Sequence, residues 1–207
     1  TMSHQSAKDL PLNPDGTISV FWYDCHEEFQ GDGTVYLFGK VQSKSGQLMS
    51  IGVQVQNLER IMYAVPKDPA SNCEDLKAEI GEMFKTKFPK IKSFRTRVIE
   101  KNYAFELPIN KGKGKFLEIR YSAKYPPMPP HMKAGEHYQH IFGTNQSIQE
   151  IFILQKKLMG PSWMTIANPT HSQYRQTWCD YELICENHRD ISITIDDKNR
   201  PAPTLRV

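Results

Sequence analysis

A chain of 207 residues, 39% apolar and 24% charged, is long enough to bury a real core and reads as an ordinary globular protein. Its formal charge of +3 excludes a uniformly electropositive surface, so nucleic-acid contact must come from local clusters of Lys and Arg. No apolar run approaches a membrane span and no signal peptide opens the sequence, in which Thr1-Met2-Ser3 reads as an expression remnant.

Residues 1–15 read as a polar lead-in. The first half that follows has the pattern of antiparallel sheet. Ile18 to Asp24 is apolar on both faces, and Val35, Leu37 and Val41 alternate with Tyr36, Phe38 and Lys40. Ser43-Lys44-Ser45-Gly46 is a four-residue turn with Gly where a positive φ is required. Met49, Ile51, Val53 and Val55 then alternate with polar residues, and Leu58 to Val65 supplies another strand, stopped by Pro66.

A helix follows, capped by Ser71 or Asn72, with Glu74 and Asp75 favoured by the dipole at its start. Leu76, Ile80, Met83 and Phe84 recur at helical spacing, and Phe88-Pro89 ends it. Strands return at 92–99, 103–107 and 116–122, the last after a basic loop, Asn110-Lys111-Gly112-Lys113-Gly114-Lys115. Pro126, Pro127, Pro129 and Pro130 then break regular structure; a connector wrapped over the domain fits better than a polyproline ligand.

A second helix is expected over 147–158, with Ile148, Ile151, Phe152 and Leu158 inward, Gly160 as its cap and Pro161 as its stop. Trp163, after that stop, is expected to anchor the core near Ile151, Phe152 or Leu158. Strands at 163–167, 178–185 and 191–195 complete an α+β fold, a mainly antiparallel sheet with two principal helices packed on it. Asn199 to Pro203 reads as a linker, with a new strand beginning at Thr204.

Simple catalytic motifs are missing. Cys25, Cys73, Cys179 and Cys185 lack the paired short spacings of a zinc site and read as reduced thiols. Asp180-Tyr181-Glu182 has the form of a metal-holding Asp-x-Glu pair, but one pair cannot hold two metals, so both acids are expected to face solvent. The Gly112-to-Lys115 run has Ile109 where a phosphate loop needs its first Gly and Phe116 where it needs Ser or Thr. No Gly-x-Ser-x-Gly setting for a nucleophile occurs.

Two basic clusters remain. Arg95, Arg97 and Lys101 fall on one face of a strand, with Phe94 and Val98 on the other. Lys111, Lys113 and Lys115 decorate the glycine loop, where ammonium groups and backbone amides suit phosphate contacts. Tyr103 and Phe116 are nearby aromatics that would have to be exposed to stack on unpaired bases. Gly114 to Tyr121 has some likeness to the aromatic strand of RNA-recognition modules, but Glu118 and Arg120 leave only one aromatic on the presumed outer face.

Val98-Ile99-Glu100-Lys101-Asn102-Tyr103-Ala104-Phe105-Glu106 is followed by Leu117-Glu118-Ile119-Arg120-Tyr121-Ser122-Ala123, His140-Ile141-Phe142-Gly143-Thr144-Asn145 and Gly160-Pro161-Ser162-Trp163. With Val20-Phe21-Trp22, Val35 to Val41 and Asn57-Leu58-Glu59-Arg60, these resemble the amino-terminal domain of family B DNA polymerases of the eukaryotic alpha type, from about Phe21 to Pro203. The resemblance implies a polymerase amino-terminal domain over 16–197, then a linker and the start of an exonuclease-like domain over 198–207. It implies a nuclear parent enzyme, a DNA-directed DNA polymerase (nucleotidyltransferase) that extends RNA primers with magnesium during initiation of DNA replication. Expected partners are template DNA, the RNA–DNA primer, primase and an accessory subunit reached through other parts of the parent, and the exonuclease-like and palm domains in cis. The Asp-Thr-Asp signature by which such polymerases bind catalytic metals is absent, so this piece is expected to hold no active site, cofactor or metal of its own. Its expected role is to support the polymerase core and contact the template strand, with Arg95, Arg97, Lys101, Lys111, Lys113 and Lys115 as the contact residues. The rival reading is a protein-interaction scaffold without nucleic-acid contact, docking through Pro126 to Pro130.

Overall fold

The computed structural model describes residues 10–28, 32–70, 72–103, 107–109, 111–193 and 201–203. In chain order the elements are β1 (Ile18–Glu27), β2 (Val35–Gln42), β3 (Leu48–Val55), β4 (Glu59–Pro66), α1 (Glu74–Lys87), β5 (Phe94–Tyr103), β6 (Gly112–Ser122), β7 (Tyr138–Phe142), α2 (Ile148–Lys156), β8 (Ser162–Ile166), β9 (Thr170–His171), β10 (Tyr181–Cys185) and β11 (Ile191–Ile193). The class is α+β as expected, but the strands form two sheets, each with its own helix. The chain divides into two compact units, 1–58 with 148–207, and 59–147.

The first unit holds a seven-stranded sheet in the order β11-β8-β1-β2-β3-β10-β9. Every pairing is antiparallel except β3 with β10. The expected turn closes β2 onto β3: the Gly46 amide donates to the Ser43 carbonyl at 2.9 Å, and Gly46 takes φ 85°. Val35, Leu37, Val41, Ile51, Val53 and Val55 are buried, as their alternation requires. A bulge at Tyr23 shifts the β1 register between Trp22 and Asp24. Helix α2 lies against β1 and β2. Gln149 fixes it there, its side-chain amide donating to the Cys25 carbonyl at 3.3 Å while its backbone amide donates to Glu27 at 2.9 Å.

The expectations for the end of α2 and for Trp163 fail in this unit. Helix α2 ends at Lys156, and its terminus is closed by Lys157 at φ 54°. The Leu158 amide reaches back to the Ile153 carbonyl (3.0 Å) and the Lys157 amide to the Leu154 carbonyl (3.3 Å). That is the bonding of a Schellman motif, with Lys where Gly is usual, and Gly160 plays no part in it. Trp163 is not the core anchor. Strand alternation sends Met164 and Ile166 inward beside Val20 and Ile18, and puts Trp163 on the other face, half-buried. There its ring meets Phe21 edge-on at 5.4 Å.

The second unit holds an antiparallel four-stranded sheet in the order β5-β6-β4-β7, with α1 covering one face. Leu76, Ile80, Met83 and Phe84 of α1 bury against Met62, Ala64, Leu117, Ile119, Tyr121 and Ile141. Phe84 stacks on Phe94 at 4.3 Å. The helix starts from Cys73 in a left-handed conformation (φ 64°), and Asn72 accepts from the Glu74 amide at 3.1 Å. Ser71, the other expected cap, lies outside the described residues. At the far end Phe88 leaves helical dihedrals, as a residue before proline must.

The expected strand at 92–99 is the longer β5, which reaches Tyr103; residues 104–106 of the expected 103–107 strand lie outside the described residues, as do Asn110, residues 194–195 of the last strand, residues 1–9 of the lead-in, residues 199–200 of the linker and the strand expected from Thr204. Strand β7 was not expected. The Pro126-to-Pro130 segment wraps over the unit: Met128 is buried in its core, Tyr121 Oη donates to the Pro126 carbonyl at 3.3 Å, and Thr144 Oγ1 to the Pro130 carbonyl at 2.9 Å.

Candidate nucleic-acid interface

The open face of the second unit's sheet, opposite α1, is built by alternation on three strands. Register places Arg95 opposite Arg120, Arg97 opposite Glu118, Ile99 opposite Phe116 and Lys101 opposite Gly114. Tyr63 of β4 lies opposite Glu118 and beside Phe142 of β7. One end of the face is charged and the other apolar.

Glu118 organises the charged end. Its side chain is 4% exposed, and Oε1 accepts from Arg97 Nε and Arg120 Nε, each at 2.7 Å. Burial pushes the Glu118 carboxyl up, but the hydrogen bonds from Arg120 and Arg97 outweigh it and hold the group below its ordinary value. Beside it Arg95 Nη2 meets Glu59 Oε2 at 2.6 Å, and Arg120 Nη1 lies 3.8 Å from the same oxygen. Lys101 Nζ sits 4.1 Å over the Tyr63 ring. Arg95, Arg97 and Arg120 meet Glu59 and Glu118, and with Lys101 the cations of this face outnumber its carboxylates among the described residues. Arg95 and Arg97 keep side-chain exposures of 62% and 66%, so the ion pairs leave both guanidinium groups within reach of solvent.

At the apolar end both aromatics of the basic region are core residues. Tyr103 and Phe116 are buried with Val65, and Tyr63, Ile99, Ile109 and Phe142 pack on them. Tyr103 lies 5.4 Å from Phe142, and its hydroxyl accepts from the Leu107 amide at 3.2 Å. Neither ring is available to a base. His140 packs edge-on to Phe142 at 4.4 Å, and burial pulls its imidazole down.

The glycine run is also not a loop. Gly112, Lys113, Gly114 and Lys115 open β6 and pair with Tyr103, Asn102, Lys101 and Glu100. The β5 ladder supplies partners for their backbone groups, and that outweighs the turn preference of glycine. Alternation sends Lys113 and Lys115 to the face that carries Leu117 and Ile119, so the two expected basic clusters lie on opposite faces of one ribbon. Lys113 is engaged with Glu100 at 2.5 Å, and Lys111 precedes the strand. The Lys113 hydrogen bond holds the Glu100 carboxyl below its ordinary value.

Asp180 and Glu182, expected to face solvent, are both held by chain donors. Asp180 Oδ2 accepts from the Ser50 amide (2.8 Å) and hydroxyl (2.7 Å). Glu182 is 1% exposed and accepts from the Gln176 amide (2.9 Å) and the Thr177 hydroxyl (2.7 Å). Among the described residues no group of three or more His, Cys, Asp or Glu side chains is placed to hold a metal ion. Burial pushes the Cys185 thiol up to about 11, so it stays a neutral thiol.

Comparison with known proteins finds relatives that match along nearly the whole chain. The sequence is 38% identical to the DNA polymerase alpha catalytic subunit of Sterkiella nova over 96% of this chain and 14% of that protein. It is 36% identical to that of Xenopus laevis over 95% of this chain and 14% of the relative, and 30% identical to that of Arabidopsis thaliana over 95% and 15%. The chain is homologous to one stretch of the DNA polymerase alpha catalytic subunit. It spans about one seventh of the length of those relatives. A model of the family B DNA polymerase exonuclease domain matches residues 139–207, beginning inside the 16–197 stretch. The family B DNA polymerase structure from the archaeon Pyrobaculum calidifontis superimposes with a TM-score of 0.51 at 8% identity, over 91% of this chain and 21% of that one. At that identity the likeness is one of fold.

Proposed function

We propose that residues 16–197 are a non-catalytic amino-terminal domain of a DNA polymerase alpha catalytic subunit, a DNA-directed DNA polymerase that extends RNA primers with magnesium in the nucleus. Homology along nearly the whole chain at 38% identity supports this reading. The linker and the start of the exonuclease-like domain then fall in 198–207. Template DNA and the RNA–DNA primer are the substrates of the parent, and primase, the accessory subunit and the exonuclease-like and palm domains are its partners outside this stretch. Within the domain, the open sheet face contacts template strand. The excess of guanidinium and ammonium groups over carboxylates there supports it, because phosphate neutralisation needs exposed cations. Arg95, Arg97 and Lys101 are the principal contacts on that face. Lys111, Lys113 and Lys115 reach phosphate only from the other side of the ribbon.

Photo-crosslinking tests the reading. An oligonucleotide carrying iododeoxyuridine should attach to peptides of β5 and β6, and attachment confined to other segments would overturn it. The chain alone should neither extend a primer nor degrade it with magnesium, and either activity would contradict the non-catalytic assignment.

A further inference from the structure

Strand β5 forms one margin of the second unit's sheet. Among the described residues no strand lies beyond it. Its inner side pairs with β6 without a break, from Phe94 opposite Tyr121 to Tyr103 opposite Gly112. In an antiparallel edge strand alternate residues turn both backbone groups away from the sheet. Phe94 to Asn102 therefore carry a row of outward donors and acceptors roughly 30 Å long.

Proteins usually guard such an edge with a proline, a bulge, a covering segment or charged side chains that stand over it. Strand β5 holds no proline and no register shift. Its charged side chains lean inward. Arg97 reaches Glu118 of β6 at 2.7 Å, and Arg95 crosses β6 to reach Glu59 of β4 at 2.6 Å. Lys101 lies 4.1 Å over the Tyr63 ring, also of β4. On the other face Glu100 pairs with Lys113 of β6. These contacts draw the side chains back over the sheet and leave the edge backbone uncovered among the described residues.

We infer that the β5 edge receives an extended protein segment as an added strand, one that alternates acidic with apolar residues. The two faces of β5 select that chemistry. On the open face Arg95, Arg97 and Lys101 run along the edge with no carboxylate of β5 among them, so an added strand meets them with Asp or Glu. On the α1 face Phe94 stacks half-buried on Phe84, and Val98 is 40% exposed. That apolar margin continues the core and calls for apolar neighbours. A period of 2 supplies both sets from one strand. A second copy of the chain fits poorly, because an antiparallel pair centred on Val98 sets Arg95 opposite Lys101, and a parallel pair in register sets each cation beside its own kind. Main-chain bonds then give affinity, and the alternation gives selectivity. The inference rests on the edge backbone and stands whether or not the open face contacts template.

The test uses the whole chain and a fluorescein-labelled peptide that alternates glutamate with valine over the length of β5. Anisotropy should show binding. A peptide of the same composition with its glutamates grouped at one end should bind about tenfold more weakly, since it cannot keep one face acidic. Two further peptides carry N-methyl groups on alternate residues, one peptide for each parity. One parity removes the donors aimed at β5 and should cost about tenfold or more, while the other should bind as the parent peptide does. The parent peptide should also slow amide exchange at alternate residues of β5. Arg95→Ala combined with Arg97→Ala should weaken binding and keep the parity difference. Equal binding by the two N-methylated peptides would mean charge attraction alone and overturns the inference. Equal binding by the grouped peptide, or no binding, overturns it too. Self-association that protects the outward β5 amides without peptide overturns the choice of partner in favour of a second copy.

Discussion

Arg97 and Glu118 stand directly opposite each other across β5 and β6, joined from Nε to Oε1 at 2.7 Å, and the same oxygen accepts from Arg120 at 2.7 Å. The pair decides how the open face presents charge: it buries the carboxylate and leaves Arg97 at the surface. Glu118→Gln should destabilise the chain by about 1–3 kcal/mol at neutral pH, because two charge-assisted bonds are weakened around a buried group.

The pH dependence of that cost follows from the depressed Glu118 carboxyl. A group held below its ordinary value of 4.5 contributes stability that is present above that value and lost as pH falls through the lower folded-state value. Denaturant melts at stepped pH should show the wild type and Glu118→Gln converging below about pH 4. A gap that stayed constant down to pH 3 would mean that the carboxyl charge is not what stabilises.

Glu182→Ala should cost about 2–4 kcal/mol, since it leaves buried amide and hydroxyl donors of the 176–177 turn without their acceptor. Amide exchange in residues 172–179 should accelerate first. Protection equal to the wild type across that stretch would refute the anchoring role.

Lys157→Gly should raise stability by about 0.5–1 kcal/mol, because Lys157 holds a left-handed conformation that glycine adopts freely. Thermal melting reads the shift directly. A loss of stability would show that the Lys157 side chain matters more than its backbone strain.

Gly135→Ala should cost about 1–3 kcal/mol. A Cβ there would overlap Glu79 Oε1 and the Tyr138 ring, and that carboxylate already accepts from the Glu136 amide (2.7 Å) and the His137 amide (2.8 Å). A fully stable variant would mean that this connector packs less closely on α1.

The fold class, both helices and most strands were legible because burial imposes period 2 or 3.6 on apolar positions such as Val35 to Val41 and Leu76 to Phe84. The misreadings share a cause, tertiary partners that no local pattern shows. Gly112 to Lys115 looks like a turn until β5 is beside it. Glu182 looks like an exposed strand residue until the 176–177 amides fold onto it, and the parity of Trp163 depends on its pairing with Phe21. Strand β7 follows a run of prolines and has only five residues, too few to show alternation clearly. Strand spacing put Arg95, Arg97 and Lys101 on one face, but their partners Glu59, Glu118 and Tyr63 come from other strands. Trp178, expected to open the 178–185 strand, lies before β10, which begins at Tyr181, and is exposed.

The most direct measurement is the salt dependence of single-stranded DNA binding by the whole chain, compared with a variant carrying Arg95→Ala, Arg97→Ala and Lys101→Ala. Anisotropy titrations from low to physiological salt should give a steep slope for the wild type. The variant should bind more weakly, with a log–log slope shallower by about 2, as removal of three phosphate contacts requires. Equal affinity and equal slope for the two proteins would contradict the assignment of the open face to template strand.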